Sequence, residues 1–127
     1  LSLHDALPIL HGVIPNAWKK LYDAHCFLFP SWYEGFSGAL IEGMMTGIPI
    51  IASDIPMNLE AVTPGKTTRV HRVKNAGSLA TEMKAAIVDY EGMKQMALTA
   101  RQEAVARFSI GVIARQYQNY LAGVIRK

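Results

Sequence analysis

The chain has 127 residues, half of them hydrophobic, and a formal net charge of +3. That length allows one domain with a real core and is too short for two. Lys and Arg lie scattered among acids with no basic run or aromatic–basic alternation, so solvated helix faces explain the charge better than a nucleic-acid partner; Glu42, Gly47 and Asp54 break the longest apolar stretches well short of the ~20 residues that span a bilayer, which excludes a transmembrane segment.

Leu1 to Pro8 lacks the basic start and long apolar core of a secretion signal. Asn16 fits an N-cap for a helix through Ala24, with Trp18, Leu21 and Tyr22 on one face. Cys26-Phe27-Leu28-Phe29 reads as a short buried strand, its thiol a packing group rather than a nucleophile. As the single cysteine, Cys26 can form no internal disulfide, and a reducing compartment is the default. The four histidines show no metal-ligand spacing with one another or with Cys26. His25 and His71 are read as structural or exposed.

Pro30 and Ser31 then open a loop carrying Glu34, Gly35 and Phe36 into a helix from about Ser37 to Thr46, stopped at Gly47. Gly35, Ser37 and Gly38 ahead of Ala39-Leu40-Ile41 fit a helix N-terminus whose unpaired amides attract anions, phosphates above all. Ser37 can cap the helix or donate a hydroxyl hydrogen bond, and Gly38 admits a ligand close to the backbone. Glu34 stands just before the helix; Glu42 lies about one turn beyond Gly38 on the same face. Carboxylates framing an anion site would repel the anion itself, so their natural targets are neutral hydroxyls, as on sugars. Glu42 is flanked by Ala39, Leu40, Ile41, Met44 and Met45, an apolar setting in which an acid needs a partner.

Pro49 to Ala52 forms the next apolar strand, and Ser53-Asp54-Ile55-Pro56 a turn. The alternation of helix and strand with short connections is that of a parallel α/β sheet, whose ligands bind at the carboxyl ends of strands, where the loop 30–37 falls. Met57 to Val62 reads as a short helix carrying Glu60, equally a capping residue or a ligand. A turn at Thr63-Pro64-Gly65-Lys66 precedes a β-prone run, Thr67 to Val73; Lys66 and Arg69 are read as solvated loop charges. From Gly77 the spacing is helical through Leu79, Met83, Ala86, Ile87 and Tyr90, then Met93, Met96, Ala97, Ala100, Ala104 and Val105. Ser109 starts a last helix to about Ile125.

The run Pro30-Ser31-Trp32-Tyr33-Glu34-Gly35-Phe36-Ser37, with Glu42 and then Gly47-Ile48-Pro49-Ile50-Ile51-Ala52-Ser53-Asp54, resembles the E-x7-E signature of retaining GT-B glycosyltransferases, especially family 4. The resemblance implies a Rossmann-like parallel sheet flanked by helices, the C-terminal half of such an enzyme. By that likeness Glu34 lies by the donor sugar and is the catalytic residue. Glu42 binds the ribose of the nucleotide, and Gly35, Phe36, Ser37, Gly38, Ala39 and Leu40 complete the donor site. The donor would be a UDP- or GDP-linked sugar, with no metal and no cofactor. Ser37 stands where many members carry Gly, and Gly43 where Ala is usual.

The resemblance covers about Leu10 to Tyr120, so residues 10–127 are expected to be a partial nucleotide-sugar-binding domain and 1–9 a leader foreign to the family. Leu10 to Pro15 resembles the loop that meets the nucleobase, with His11 an exposed loop residue. The opening β-α-β portion, with its diphosphate-binding Arg and Lys, and the acceptor-binding domain have no counterpart. The implied partners are a nucleotide sugar and a separate acceptor domain or chain, or self-association. The last helix is expected to expose apolar surface unless it finds a partner. The expected location is the cytoplasm, with a peripheral place at the inner membrane face left open for the full enzyme.

Overall fold

In a computed structural model the protein is described over residues 8–125; the leader expected at 1–9 lies outside the described residues except for Pro8 and Ile9. Three parallel strands form the sheet, β1 (Phe27–Phe29), β2 (Ile50–Ser53) and β3 (Arg69–His71), in the order β1-β2-β3. Phe27 pairs with Ile50, and Ile51 with Arg69. Helix α1 (Gly38–Thr46) joins β1 to β2, and α2 (Pro56–Ala61) leads from β2 toward β3. Helices α3 (Ala76–Val88), α4 (Tyr90–Phe108) and α5 (Ile110–Ile125) follow.

All four residues of β2 are buried, and the two-residue period of a strand divides them between the faces of the sheet. Ile50 and Ala52 join Leu40, Ile41 and Met44 of α1 and Ala100 and Ala104 of α4 in the main core; Ile51 joins Ala86 of α3 and Met93 of α4 in a smaller one. The alanines of α4 let α1 approach closely, and α1 packs more extensively on α4 than on any other helix. Gly47, at φ 75°, ends α1 in the left-handed conformation that L side chains resist.

Three expectations change. Residues 17–23 form a 3-10 helix, Ala17–Asp23, in place of an α-helix through Ala24. Asn16 is left-handed at φ 55° and makes no side-chain cap; its carbonyl accepts the Lys19 amide at 2.9 Å, the shorter span of a 3-10 turn. The strand starts at Phe27 and is only half-buried, because β1 pairs on one side alone among the described residues, leaving Leu28 exposed. The long helical stretch divides at Asp89, which closes α3 and whose carboxylate accepts the Gly92 amide at 3.0 Å to open α4.

Candidate functional site

The loop 30–37 leaves β1 at the carboxyl edge of the sheet and enters α1. Glu34 is half-buried, and the Ser31 hydroxyl donates to its Oε1 at 2.7 Å. Ser37 occupies the N-cap position yet makes no side-chain cap; it is 2% exposed and its hydroxyl donates to Asn58 Oδ1 at 2.7 Å. That hydroxyl is therefore committed within the protein. The Gly38 amide donates to Phe36 O at 2.7 Å, tightening the turn. Among the described residues, the amides of Phe36, Ala39 and Leu40 have no backbone acceptor. Phe36 and Ala39 are exposed, and so offer open donors at the positive end of the α1 dipole. Gly35 is exposed as well, whereas Leu40 is 0% exposed and belongs to the core.

Glu42 is exposed, contrary to the apolar setting expected from its sequence neighbours. Leu40, Ile41 and Met44 turn into the core, while Glu42 projects into a groove of about 200 Å³ with Trp18, Tyr22, Met45 and Thr46. Trp18 and Tyr22 meet edge to face, with ring centroids 6.0 Å apart. The 3-10 helix thus supplies an aromatic wall beside the second carboxylate. Glu60, exposed, lines a smaller cavity of about 130 Å³ with Gly35, Phe36 and Arg107, and its backbone carbonyl accepts Arg107 Nη2 at 2.6 Å.

The polar residues behind the loop escape sequence reasoning. Asn58, 0% exposed on α2, donates through Nδ2 to Ser53 O and Oγ, both at 3.0 Å, and the Ser53 hydroxyl donates to Ser31 O at 2.5 Å. An asparagine on a short helix after a strand is the only signal the sequence offers, and the loop serines stand far off, Ser37 21 positions from Asn58 and Ser31 22 from Ser53. His71 is also buried, its Nδ1–H donating to Arg72 O at 2.8 Å. His11 and His25 are exposed. Burial pushes the Cys26 thiol pKa up, favouring the protonated form. No helix of the described residues is long and apolar enough to cross a membrane.

Residues 3–103 match the family described as glycosyl transferases group 1, a span that begins inside the expected leader. The O-antigen chain mannosyltransferase RfbU of Salmonella typhimurium is 42% identical over 51% of this chain and 19% of its own length. The 2-deoxystreptamine N-acetyl-D-glucosaminyltransferase of Niallia circulans is 30% identical over 80% of this chain and 25% of its own. Among solved structures, Anabaena HepE in complex with UDP superposes with a TM-score of 0.79 at 22% identity, over 83% of this chain and 29% of that one. Sucrose-phosphate synthase from Thermosynechococcus elongatus gives 0.79 at 25% identity, over 84% and 27%. The chain thus spans about a fifth to a quarter of these curated relatives, and its fold is that of part of a GT-B glycosyltransferase. With four-fifths of its length inside the match, the chain belongs to the group 1 glycosyl transferases.

Proposed function

We propose that this chain is the donor-binding part of a retaining glycosyltransferase of family 4, which moves a sugar from a nucleoside-diphosphate sugar to a glycan or lipid-linked acceptor. The observation that carries the reading is the carboxyl edge of the sheet. There the β1–α1 loop carries a held carboxylate, Glu34, into a helix N-terminus with open amides, and α1 carries a second carboxylate, Glu42, one turn on, beside an aromatic groove. In this reading the amides of Phe36 and Ala39 and the α1 dipole receive the diphosphate and stabilise the departing nucleotide. Glu42 accepts the ribose hydroxyls, and Glu34 orients the donor sugar. Retention follows from front-face attack, the leaving phosphate taking the acceptor's proton, so the two acids do not divide into nucleophile and general acid as in glycoside hydrolysis. The nucleotide sugar is the substrate and no cofactor is called for.

Related proteins support this. HepE has been crystallised with UDP and with UDP-glucose, and the RfbU relative is named a mannosyltransferase. These names differ in the sugar, so the donor is stated here as a class. The first test is calorimetric titration of the chain with UDP, GDP and their sugars, alongside Glu42→Ala. Saturable binding of one nucleotide, weakened in the variant, is expected; a folded chain that binds none overturns the donor-site reading for the isolated chain. In the full enzyme Glu34→Gln is expected to lower kcat by about 10²–10³-fold, and unchanged turnover removes Glu34 from the mechanism.

A second reading is favoured by α5, in which no residue is buried. Here the chain is a nucleotide-sugar-binding subunit, inactive until an acceptor domain or partner chain covers that helix, and the assembled enzyme works in the cytoplasm or at the inner membrane face. Sugar transfer by the isolated chain would defeat it.

A further inference from the structure

We propose that Asn58 is a positioning residue for the donor-sugar end of the site, setting the Glu34 carboxylate through two serines; this rests on the proposed function above. Chemistry fixes how its amide is turned. The Ser53 carbonyl can only accept, so Asn58 Nδ2 faces it at 3.0 Å and also meets Ser53 Oγ at 3.0 Å, which leaves Oδ1 for the Ser37 hydroxyl at 2.7 Å. Because Ser53 Oγ accepts from Asn58, its proton is free to go to the Ser31 carbonyl, and the Ser31 hydroxyl donates to Glu34 Oε1 at 2.7 Å. Donors and acceptors run in one direction from the amide to the carboxylate. The loop is pinned at Ser31 through Ser53 and at Ser37 directly, both from one side chain that is wholly buried.

The base of this brace is itself held. Arg107 donates to the carbonyls of Ala61 at 3.0 Å and Glu60 at 2.6 Å, tying the end of α2 to the end of α4. Stability alone does not call for such a network, since a matched set of apolar side chains holds a fold about as well while a half-satisfied polar one costs dearly. What hydrogen bonds add is direction, and this set converges on the loop of Glu34. Glu42 is exposed in its groove and makes no hydrogen bond to the network. Asn58 accordingly holds the loop end of the site, reaching Glu34 through Ser53 and Ser31 and the turn at Ser37 directly, and leaves the Glu42 groove alone.

The test uses the full protein that carries this chain, comparing wild type, Asn58→Ala and Ser53→Ala. Three quantities are read: nucleotide affinity for UDP and GDP, turnover with the nucleotide sugar, and backbone NMR order parameters across residues 31–38. For Asn58→Ala, which frees Ser31 and Ser37 together, kcat should fall by about 10- to 100-fold, as expected when a reacting group is misplaced. Nucleotide affinity should weaken with the amides beside Ser37, and order parameters should drop at residues 31–38 while β2 and α4 stay rigid. Ser53→Ala keeps the Asn58–Ser37 bond and loses only the donor to the Ser31 carbonyl, so order parameters should drop at 31–34 and kcat should fall with nucleotide affinity unchanged; this variant carries the test if the asparagine variant does not fold. Unchanged order parameters and kcat in the folded variants overturn the proposal. So does a loss of rigidity spread through β2 and α4 in Ser53→Ala with affinity and kcat falling together, the mark of a purely structural role. A wild type that binds no nucleotide and transfers no sugar defeats the proposed function instead, and the order parameters still report on the brace.

Discussion

Helices α1 and α5 both repeat apolar residues every three or four positions, and they end in opposite conditions. In α1, Leu40 and Met44 are 0% exposed against β2 and α4. In α5 no residue is buried; Ile110, Ile113, Tyr117, Tyr120, Leu121 and Val124 form a stripe that α4 covers only in part, each of them left exposed among the described residues. The same periodicity therefore marks a face that will be covered without saying by what. In α1 the cover is supplied by the chain itself.

Substitutions can break or sharpen that contrast. The largest effect is expected for Leu40→Ala, which should cost about 2–5 kcal/mol in chemical denaturation because the fully enclosed site leaves a cavity; a cost under about 1 kcal/mol would mean that α1 is as loosely held as α5. Next comes Gly43→Ala. A methyl group there would stand 2.6 Å from Phe27 Cδ1 and 2.9 Å from Cε1. The ring must shift, at about 1–3 kcal/mol partly offset by roughly 1 kcal/mol of helix propensity, and Phe27→Leu in the same chain should recover the loss. No recovery would place the strain elsewhere. On α5, Tyr117→Ser and Leu121→Ser should each change stability by no more than ~0.5 kcal/mol while lowering hydrophobic-dye binding; a loss above that, dependent on protein concentration, would show that a second copy already covers the stripe.

The smallest effect concerns Cys26. Its raised pKa keeps the thiol protonated at neutral pH, so alkylation should be slow in the folded chain and fast in urea. A folded pKa above the unfolded one stabilises below the ordinary thiol pKa, and that contribution fades as pH rises through the folded value. Equal alkylation rates in both states would show that the thiol lies open.

The frame around the candidate site was legible because its signals are local. Gly47 stops α1 where a glycine after an apolar helix should, and the loop from Pro30 to Ser37 falls on the carboxyl edge as strand–helix alternation requires. Glu42 misled because Leu40, Ile41 and Met44, its apolar neighbours in sequence, stand about 100–200° away around the helix, on the core side, and say little about its surroundings. Asp89 was hidden because α3 and α4 carry the same apolar period on either side of it. The Asn58 brace was out of reach for a different reason. Its loop partners are joined by tertiary folding alone, and each is an ordinary loop serine when read in place.

The packing of α1 on α4 also fixes an order of events. Leu40 and Met44 share a core cluster with Ala100 and Ala104, more than fifty positions further along the chain, so the site helix gains its cover only after a long loop has closed. On the ribosome, β1, α1 and β2 emerge well before α4 does. Until then the helix that presents the site's amides is a nine-residue segment with its apolar face open to water, too short to persist unaided. The part of the chain made early is thus ordered late, and nascent chains ending before α4 should show unprotected amides in α1 whatever the quality of its local signals.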